Sequence, residues 1–269
     1  MTKHLAPLEV SENHTLHDTG LWLDVENELY HRLGGTGSHN ITEIRDDIDL
    51  YLAGGEEDES KDHLILGSAF HDRLMRPEHF DKNYTVYPGK VRRGGKWDEF
   101  RFDNADKTIL TKKMGDTLVP MHDHASSHEI WKQVMDTVNS SDTVVFEGSC
   151  WTRHPDSGMM CKVRPDVYIS SGRVIDIKTA SNPHWEDSGK YKKGFKYAIR
   201  NYNYYVQQAF YMDMLSYAGI PCNKFEFFVV GTSEPYDVKH YELPNSWVMD
   251  GRKVYETQLN RLKNKLIGG

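Results

Sequence analysis

Cysteine is scarce in this sequence, and the few that occur have no paired spacing. The three cysteines, Cys150, Cys161 and Cys222, form an odd set without a C-x-x-C pair. The odd count argues against a disulfide framework, and the spacing argues against a zinc or iron–sulfur knuckle. We expect free thiols buried in the core.

Long apolar runs are also missing. No stretch reaches the roughly 20 apolar residues needed to cross a bilayer, and the opening MTKHLAPLEVSENH lacks the apolar core of a signal peptide. We therefore expect a soluble cytoplasmic protein that has no membrane partner.

Apolar residues are few, and acidic residues outnumber basic ones. Hydrophobic residues make up 38% of the 269 residues and the mean hydropathy is -0.68, although 6 Trp, 15 Tyr and 10 Phe supply large buried areas. A net charge of -7 argues against binding nucleic acid over the whole surface. Phosphate binding must be local, and the densest basic runs are residues 190–200 and 92–96.

The stretch from residue 161 to 180, CKVRPDVYISSGRVIDIKTA, has the pattern of a β-hairpin. Two runs rich in β-branched and aromatic residues, Val163–Ile169 and Arg173–Thr179, flank Ser170-Ser171-Gly172. A three-residue loop fits best, because Gly172 can adopt the positive φ that closes the turn.

In that register the hairpin brings charged side chains together. Asp166 faces Asp176 across the ladder, and Lys178 projects on the same face as Asp176 because side chains alternate. Two facing carboxylates repel unless a cation lies between them, which favours a divalent metal. Pro165 cannot donate to the ladder and marks a bulge just before Asp166. An ordinary polar strand face is the alternative, and a one-residue slip would separate the aspartates.

A helix is predicted over His63–Arg76, where Gly67, Ser68 and Ala69 allow close approach of another element. Gly67 and His71 are four residues apart and share a face. On its own, a histidine in such a helix is more often a hydrogen-bonded partner than a metal ligand.

Two further segments hold candidate site residues that could equally have ordinary structural roles. Thr143–Trp151 is predicted as a strand whose Glu147 would commonly face solvent. Tyr197–Tyr217 is predicted as one long helix, on which Gln207 and Tyr211 share a face. Core packing is the usual role of aromatic residues at that spacing.

The remaining pattern is coarse. We predict an irregular arm over residues 1–24, one domain over 25–269, a helix over Ile41–Leu52, short strands and turns over 80–120, a closing strand over Lys224–Val230 and an amphipathic helix over Ser246–Leu266.

Taken together, these segments resemble the PD-(D/E)xK nuclease superfamily. The resemblance lies in Pro165-Asp166 followed by Asp176-Ile177-Lys178, with G-x-x-x-H (Gly67, His71) before them and Q-x-x-x-Y (Gln207, Tyr211) after them. The segments are most similar to the RecE-type exonucleases, also called exonuclease VIII, of phage recombination systems. The fold that this resemblance implies is α/β, with a mixed central sheet flanked by helices.

The resemblance also implies roles for individual residues. Asp166 and Asp176, with His71 and the main-chain carbonyl of Ile177, would hold Mg²⁺, for which Mn²⁺ could substitute. Lys178 would be catalytic, and Glu147 would be a further ligand or would position water. The residues implied to contact DNA are Gln207, Tyr211, Lys192, Lys193, Lys196 and Arg200.

The function implied is degradation of one strand of linear double-stranded DNA from its 5′ end, in the host cytoplasm if the protein is phage-encoded. The chain would assemble into a ring-shaped homo-oligomer, and its partner would be a single-strand annealing protein. Two alternatives stay open. One is an endonuclease on the same fold, and the other is a nuclease-like module that binds nucleic acid without cutting it.

Overall fold

The computed structural model describes residues 20–22, 25–54, 62–140, 142–189 and 192–268. Its strands are β1 (Gly20–Trp22), β2 (Tyr84–Val86), β3 (Thr108–Leu110), β4 (Val144–Phe146), β5 (Ser149–Arg153), β6 (Met160–Val163), β7 (Val167–Ile169), β8 (Arg173–Ala180), β9 (Lys224–Gly231) and β10 (Val238–Tyr241). Its helices are α1 (Asn27–Arg32), α2 (Ser38–Asp46), α3 (Ile48–Leu52), α4 (Asp62–Met75), α5 (Pro77–Asn83), α6 (Gly95–Asp103), α7 (Lys112–Ser127), α8 (Glu129–Val138), α9 (Phe195–Asn201), α10 (Tyr204–Tyr217) and α11 (Asn245–Gly268).

The central sheet has five strands in the order β10-β9-β8-β7-β4. β8 and β9 run parallel, whereas the other neighbours are antiparallel. Helices cover both faces, so the predicted α/β class with a mixed sheet is confirmed. β1, β5 and β6 form a smaller antiparallel sheet, and β2 pairs with β3 in parallel.

Alternation along β8 and β9 divides the core into two layers. Val174 and Phe227 face one side, where they join the apolar cluster of α9, α10 and α11. Ile175, Ile177 and Phe228 face the other side and join the cluster of α4, α7 and α8. Burial on both faces explains why β9 is almost continuously apolar.

The predicted hairpin is confirmed at its turn. Val167 pairs with Ile175 and Ile169 pairs with Arg173, which leaves a three-residue loop. Gly172 closes this loop with a φ of 90°. Continued by one residue, the same register sets Asp166 opposite Asp176.

The strands before the hairpin are shorter than predicted. The run from 163 to 169 is interrupted because Pro165 lacks an N–H, so Val163 ends β6 in the small sheet. The predicted strand Thr143–Trp151 is likewise divided into β4 and β5 at Glu147, which has a left-handed φ of 49°. The two breaks lie side by side, where this antiparallel strand pair passes from the central sheet (β4 and β7) to the smaller sheet (β5 and β6).

Two predicted helices are each divided in two. Between α2 and α3, Asp47 caps α3 by accepting hydrogen bonds from the N–H groups of Asp49 and Leu50. Between α9 and α10, Asn203 has a left-handed φ of 57° and donates to Thr42 Oγ1 at 3.1 Å. Asn tolerates this conformation better than most residues, so the chain turns there.

The prediction for residues 80–120 is largely wrong. Strands and turns were expected there, but β2 and β3 are short, and α5, α6 and α7 supply helix instead. Local packing accounts for part of this, because Tyr87 contacts Trp97 and Phe100 of α6. The predicted arm 1–24 lies mostly outside the described residues, although Gly20–Trp22 pairs with β5. In the described part of the chain, no helix is both long enough and apolar enough to cross a membrane.

Gly251 fixes the close contact between α10 and α11. A Cβ atom at this position would lie 2.3 Å from the carbonyl oxygen of Tyr205. The backbone cannot yield as a side chain would, so Gly251→Ala should lower the free energy of unfolding by about 1 to 3 kcal/mol. Gly95→Ala in α6 meets nothing within 4 Å and should cause little change. Chemical denaturation of both variants tests this, and equal stabilities would contradict the contact.

Candidate active site

The candidate site forms where β8 extends beyond β7. β7 begins at Val167 and pairs with β8 only as far as Ile175, so among the described residues the second half of β8 has no partner strand on that side. The carboxylate of Asp166 acts as hydrogen-bond acceptor there, because its Oδ2 accepts the N–H of Ile177 at 2.7 Å. The break at Pro165 therefore aims Asp166 at the following strand.

His71 reaches the site from α4, which crosses the end of β8. A Cβ at Gly67 would lie 3.4 Å from Thr179 Oγ1, so the small residue permits this approach. One turn later, His71 Nδ1 lies 3.7 Å from Asp166 Oδ1. The G-x-x-x-H pattern had indicated both the close approach of α4 and a histidine at the site.

Glu147 completes a group of three potential ligands. Ligand atoms of His71, Glu147 and Asp166 all lie within 4.8 Å of one another. The N–H of Glu147 donates to the Asp166 carbonyl at 2.9 Å. This hydrogen bond connects the strand break at Glu147 with the one at Pro165. A cavity of about 460 Å³ opens beside His71 and Glu147.

Asp176 lies next to this group but has partners of its own. It is 2% exposed, and its Oδ2 lies 2.5 Å from Lys178 Nζ. Its Oδ1 accepts a hydrogen bond from Gln207 Nε2 at 2.7 Å. Lys178 Nζ also lies 4.7 Å from the centre of the Tyr204 ring. The predicted convergence of two carboxylates and an ammonium group is present.

Burial changes the protonation equilibria of these groups. It raises the pKa of Asp166 to about 6 and that of Asp176 to about 6, although Lys178 acts in the opposite direction. Burial and the nearby Lys178 charge lower the pKa of His71. Burial alone would lower the pKa of Lys178, but Asp176 outweighs it and raises that pKa. At neutral pH the imidazole is therefore neutral and the lysine is charged.

The charge pattern fits a metal ion at Asp166. Glu147 forms ion pairs with Arg76 and with Arg164, and Asp176 is paired with Lys178. Asp166 has only the neutral His71 within ion-pair distance among the described residues. Two carboxylates and one imidazole form a donor set suited to Mg²⁺ or Mn²⁺.

The residues expected to contact DNA lie in different environments. Gln207 bonds to Asp176 instead of facing solvent. Tyr211 is 9% exposed and packs in the core, with its hydroxyl 3.4 Å from the Arg164 carbonyl. The contact of Tyr211 with DNA stays a prediction.

The basic run is divided among several partners, and its first residue, Lys190, lies outside the described residues. Lys193 pairs with Asp187 at 2.9 Å, and Lys196 lies 3.9 Å from Glu186. Lys192 donates to Ser233 Oγ at 3.2 Å, and Arg200 stacks on Trp247 at 3.9 Å.

Two arginines at the site were missed from the sequence. Arg76 pairs with Glu147 and with Asp72, and its buried Nε has no hydrogen-bond partner among the described residues. Arg164 donates to the Glu147 carbonyl at 3.1 Å. The available sequence signal for Arg164 was its position directly before Pro165. A charged side chain at a strand break is a candidate for a functional role.

A second group of potential ligands lies on the other face of the sheet, because Glu226 pairs with Ile175, the neighbour of Asp176 along β8. Glu226, His240 and Glu242 meet the same spacing, but Glu226 already pairs with Arg173, with Lys224 at 2.8 Å and with His240 at 2.5 Å. Burial would raise the pKa of Glu226, yet hydrogen bonds from His240 and Arg173 lower it. This carboxylate is neutralised without a metal.

The mixed sheet, the carboxylates beside Lys178 and the histidine from α4 define a PD-(D/E)xK nuclease. The chain belongs to the family of PDDEXK-like domains of unknown function, DUF3799, whose sequence model matches residues 48–267. No curated protein matches the chain.

Solved structures support the fold. The crystal structure of a candidate exonuclease from Eubacterium rectale is 17% identical, with a TM-score of 0.58 over 90% of this chain and 88% of that chain. The crystal structure of SSO0001 is 13% identical, with a TM-score of 0.28 over 81% of this chain and 85% of that chain, which is too low to support a conclusion.

The raised pKa of Asp166 predicts how stability depends on pH. An unfolded aspartate titrates near pH 4, so the folded protein should lose stability as pH rises from about 4 to about 6, by up to roughly 3 kcal/mol for this group. Asp166→Asn removes the charge while the side chain can still accept the Ile177 N–H. Without divalent cations, the variant should therefore be more stable than the wild type at about pH 7.5 and similar to it at about pH 4.

Thermal unfolding with and without Mg²⁺ provides the measurement. Mg²⁺ should stabilise the wild type but not Asp166→Asn, and the exposed Asp136→Asn should respond like the wild type. If Mg²⁺ stabilised Asp166→Asn as much as the wild type, Asp166 would not be a ligand.

Proposed function

We propose that the protein is a metal-dependent DNA exonuclease that degrades one strand of linear duplex DNA, from 5′ to 3′, and leaves 3′ single-stranded tails. The observation that carries the proposal is the group of His71, Glu147 and Asp166 beside the Asp176–Lys178 pair. Acidic ligands next to a charged amine suit hydrolysis of a phosphodiester.

Mg²⁺ is the proposed cofactor, and Mn²⁺ could substitute for it. His71, Glu147 and Asp166 would hold it, and the family resemblance adds Asp176 and the Ile177 carbonyl. When bound, a divalent cation lowers the pKa of a coordinated water and offsets negative charge on the phosphate.

Lys178 is proposed to stabilise charge rather than to accept a proton. Its raised pKa keeps the ammonium protonated at neutral pH, and Tyr204 covers it. A protonated amine can donate to a phosphate oxygen as negative charge develops there. Gln207 holds the Asp176 carboxylate, so its proposed role is to position Asp176.

A groove beside Lys178 provides a path for a DNA strand. A cavity of about 380 Å³ borders Thr179 and Ala180 at the end of β8. Tyr197 and Tyr202, which are 51% and 63% exposed, line it together with Lys193. Exposed aromatic rings beside a cation suit stacking of unpaired bases and contact with phosphate.

The partners are proposed from the RecE-type resemblance. They are double-stranded DNA ends, a single-strand annealing protein and further copies of the chain in a ring. The Eubacterium rectale protein, described as a candidate exonuclease, supports the exonuclease over an endonuclease on the same fold. Retention of both aspartates and Lys178 argues against a module that only binds nucleic acid.

Digestion of duplex DNA labelled at either end tests the proposal. With Mg²⁺, the protein should release a 5′ label early while a 3′ label stays on a long product, and it should leave covalently closed circles intact. Asp176→Ala and Lys178→Ala should each slow digestion by about a hundredfold or more, whereas Asp136→Ala should not.

Three results would contradict this function. Cutting of closed circles would indicate an endonuclease, early release of the 3′ label would reverse the polarity, and binding without any cutting would indicate a non-catalytic module. Undiminished digestion by Asp176→Ala would reject the site itself.

A further inference from the structure

A basic surface is formed by the two segments that follow β2 and β3. Parallel strands bring their carboxyl ends to the same edge, and here Val86 pairs with Leu110. The N–H of Tyr87 then donates to the Leu110 carbonyl at 3.0 Å. The loop after β2 and the first turn of α7 after β3 are therefore neighbours.

Both segments are rich in cations. We call this the basic surface and define it by its six exposed residues, Lys90, Arg92, Arg93, Lys96, Lys112 and Lys113. A cavity of about 570 Å³ is lined by Lys90, Arg92, Lys112 and Lys113 together with one carboxylate, Asp116.

Most of these charges lack a carboxylate partner. Lys112 pairs with Asp116 at 2.7 Å, but the other five cations have no carboxylate oxygen within 4.0 Å in the described part of the chain. Lys193 and Lys196, by contrast, are paired with acidic neighbours. In a chain with a net charge of -7, such a concentration of unpaired positive charge favours a polyanionic partner.

The surface is held in a fixed shape. Arg92 Nη2 donates to the Ile109 carbonyl at 2.8 Å, and the Arg92 guanidinium lies 5.5 Å from the centre of the Trp97 ring. Val86 packs so closely on α7 that a Cβ at Gly115 would lie 2.8 Å from its Cγ1. Arg92 and the backbone of the two segments are therefore ordered before binding, and ordered groups lose less entropy on binding than mobile ones do.

The same short sheet links this surface to the active site. Tyr84, at the start of β2, lines the cavity that also contains His71 and Glu147. Lys90 follows six residues later, so it lies within roughly 20 Å of Tyr84 at about 3.3 Å per residue. One turn of B-form DNA is about 34 Å long, so one duplex can span both places.

We propose that the basic surface binds the phosphate backbone of the duplex that has not yet been degraded. This rests on the proposed DNA exonuclease function, and it assigns the duplex to a region apart from the groove at Lys178. Six cations spread over two segments match a row of phosphates better than one isolated phosphate. Trp97 is covered by Arg92 and Tyr87, so this indole is not offered for stacking on bases.

Binding of the full-length chain to a duplex of about 30 base pairs, in chelator to prevent cutting, tests the proposal. The variant Lys90→Gln/Lys113→Gln removes two unpaired charges of the surface. Its affinity for the duplex should fall about tenfold at about 0.1 M salt, and the slope of log affinity against log salt should decrease by about 2. At saturating DNA the rate of digestion should stay at the wild-type value.

The matched control is Lys132→Gln/Lys253→Gln, which removes two exposed lysines from other elements, α8 and α11. It should keep wild-type affinity, and inorganic phosphate should compete no better than chloride at equal ionic strength. Equal affinities of the two double variants would overturn the inference. So would an equal loss of affinity for a single strand of the same length. A wild type that neither binds nor digests duplex DNA would instead reject the proposed function.

Discussion

The site depends on one partly buried carboxylate, that of Asp166, which lies where two strands end. Glu147 has arginine partners and Asp176 has Lys178, whereas in the described part of the chain Asp166 has a neutral histidine within ion-pair distance and one backbone N–H as hydrogen-bond donor. Burial of a carboxylate is costly unless it is paired or neutralised. The raised pKa of Asp166 reflects that cost. A divalent cation bound next to His71 would offset the cost.

Irregularities of the fold produce this arrangement. The ribbon breaks at Pro165 and at Glu147, and each break turns an acidic side chain toward the end of β8. Gly67 then lets α4 approach closely enough for His71 to reach Asp166. The α10 helix contributes Gln207 from the opposite layer, so both core layers meet at the site.

Short-range patterns predicted much of the site because local chemistry determines them. A hairpin with Gly172 in its loop fixes its own register, and helical spacing sets Gly67 and His71 on one face. Predictions failed where tertiary contacts decide. The break at Asn203 depends on a contact with distant Thr42. Short strands and turns were expected over residues 80–120, yet Tyr87 packs against Trp97 and Phe100 of helix α6.

Diffraction from crystals grown with Mn²⁺ tests the central claim most directly, because anomalous scattering locates the ion without reference to activity. We expect a strong anomalous peak in contact with Asp166 and His71, close to Glu147, and no such peak in Asp166→Asn. A wild-type protein with no peak there, or with its peak at Glu226 and His240 instead, would contradict it.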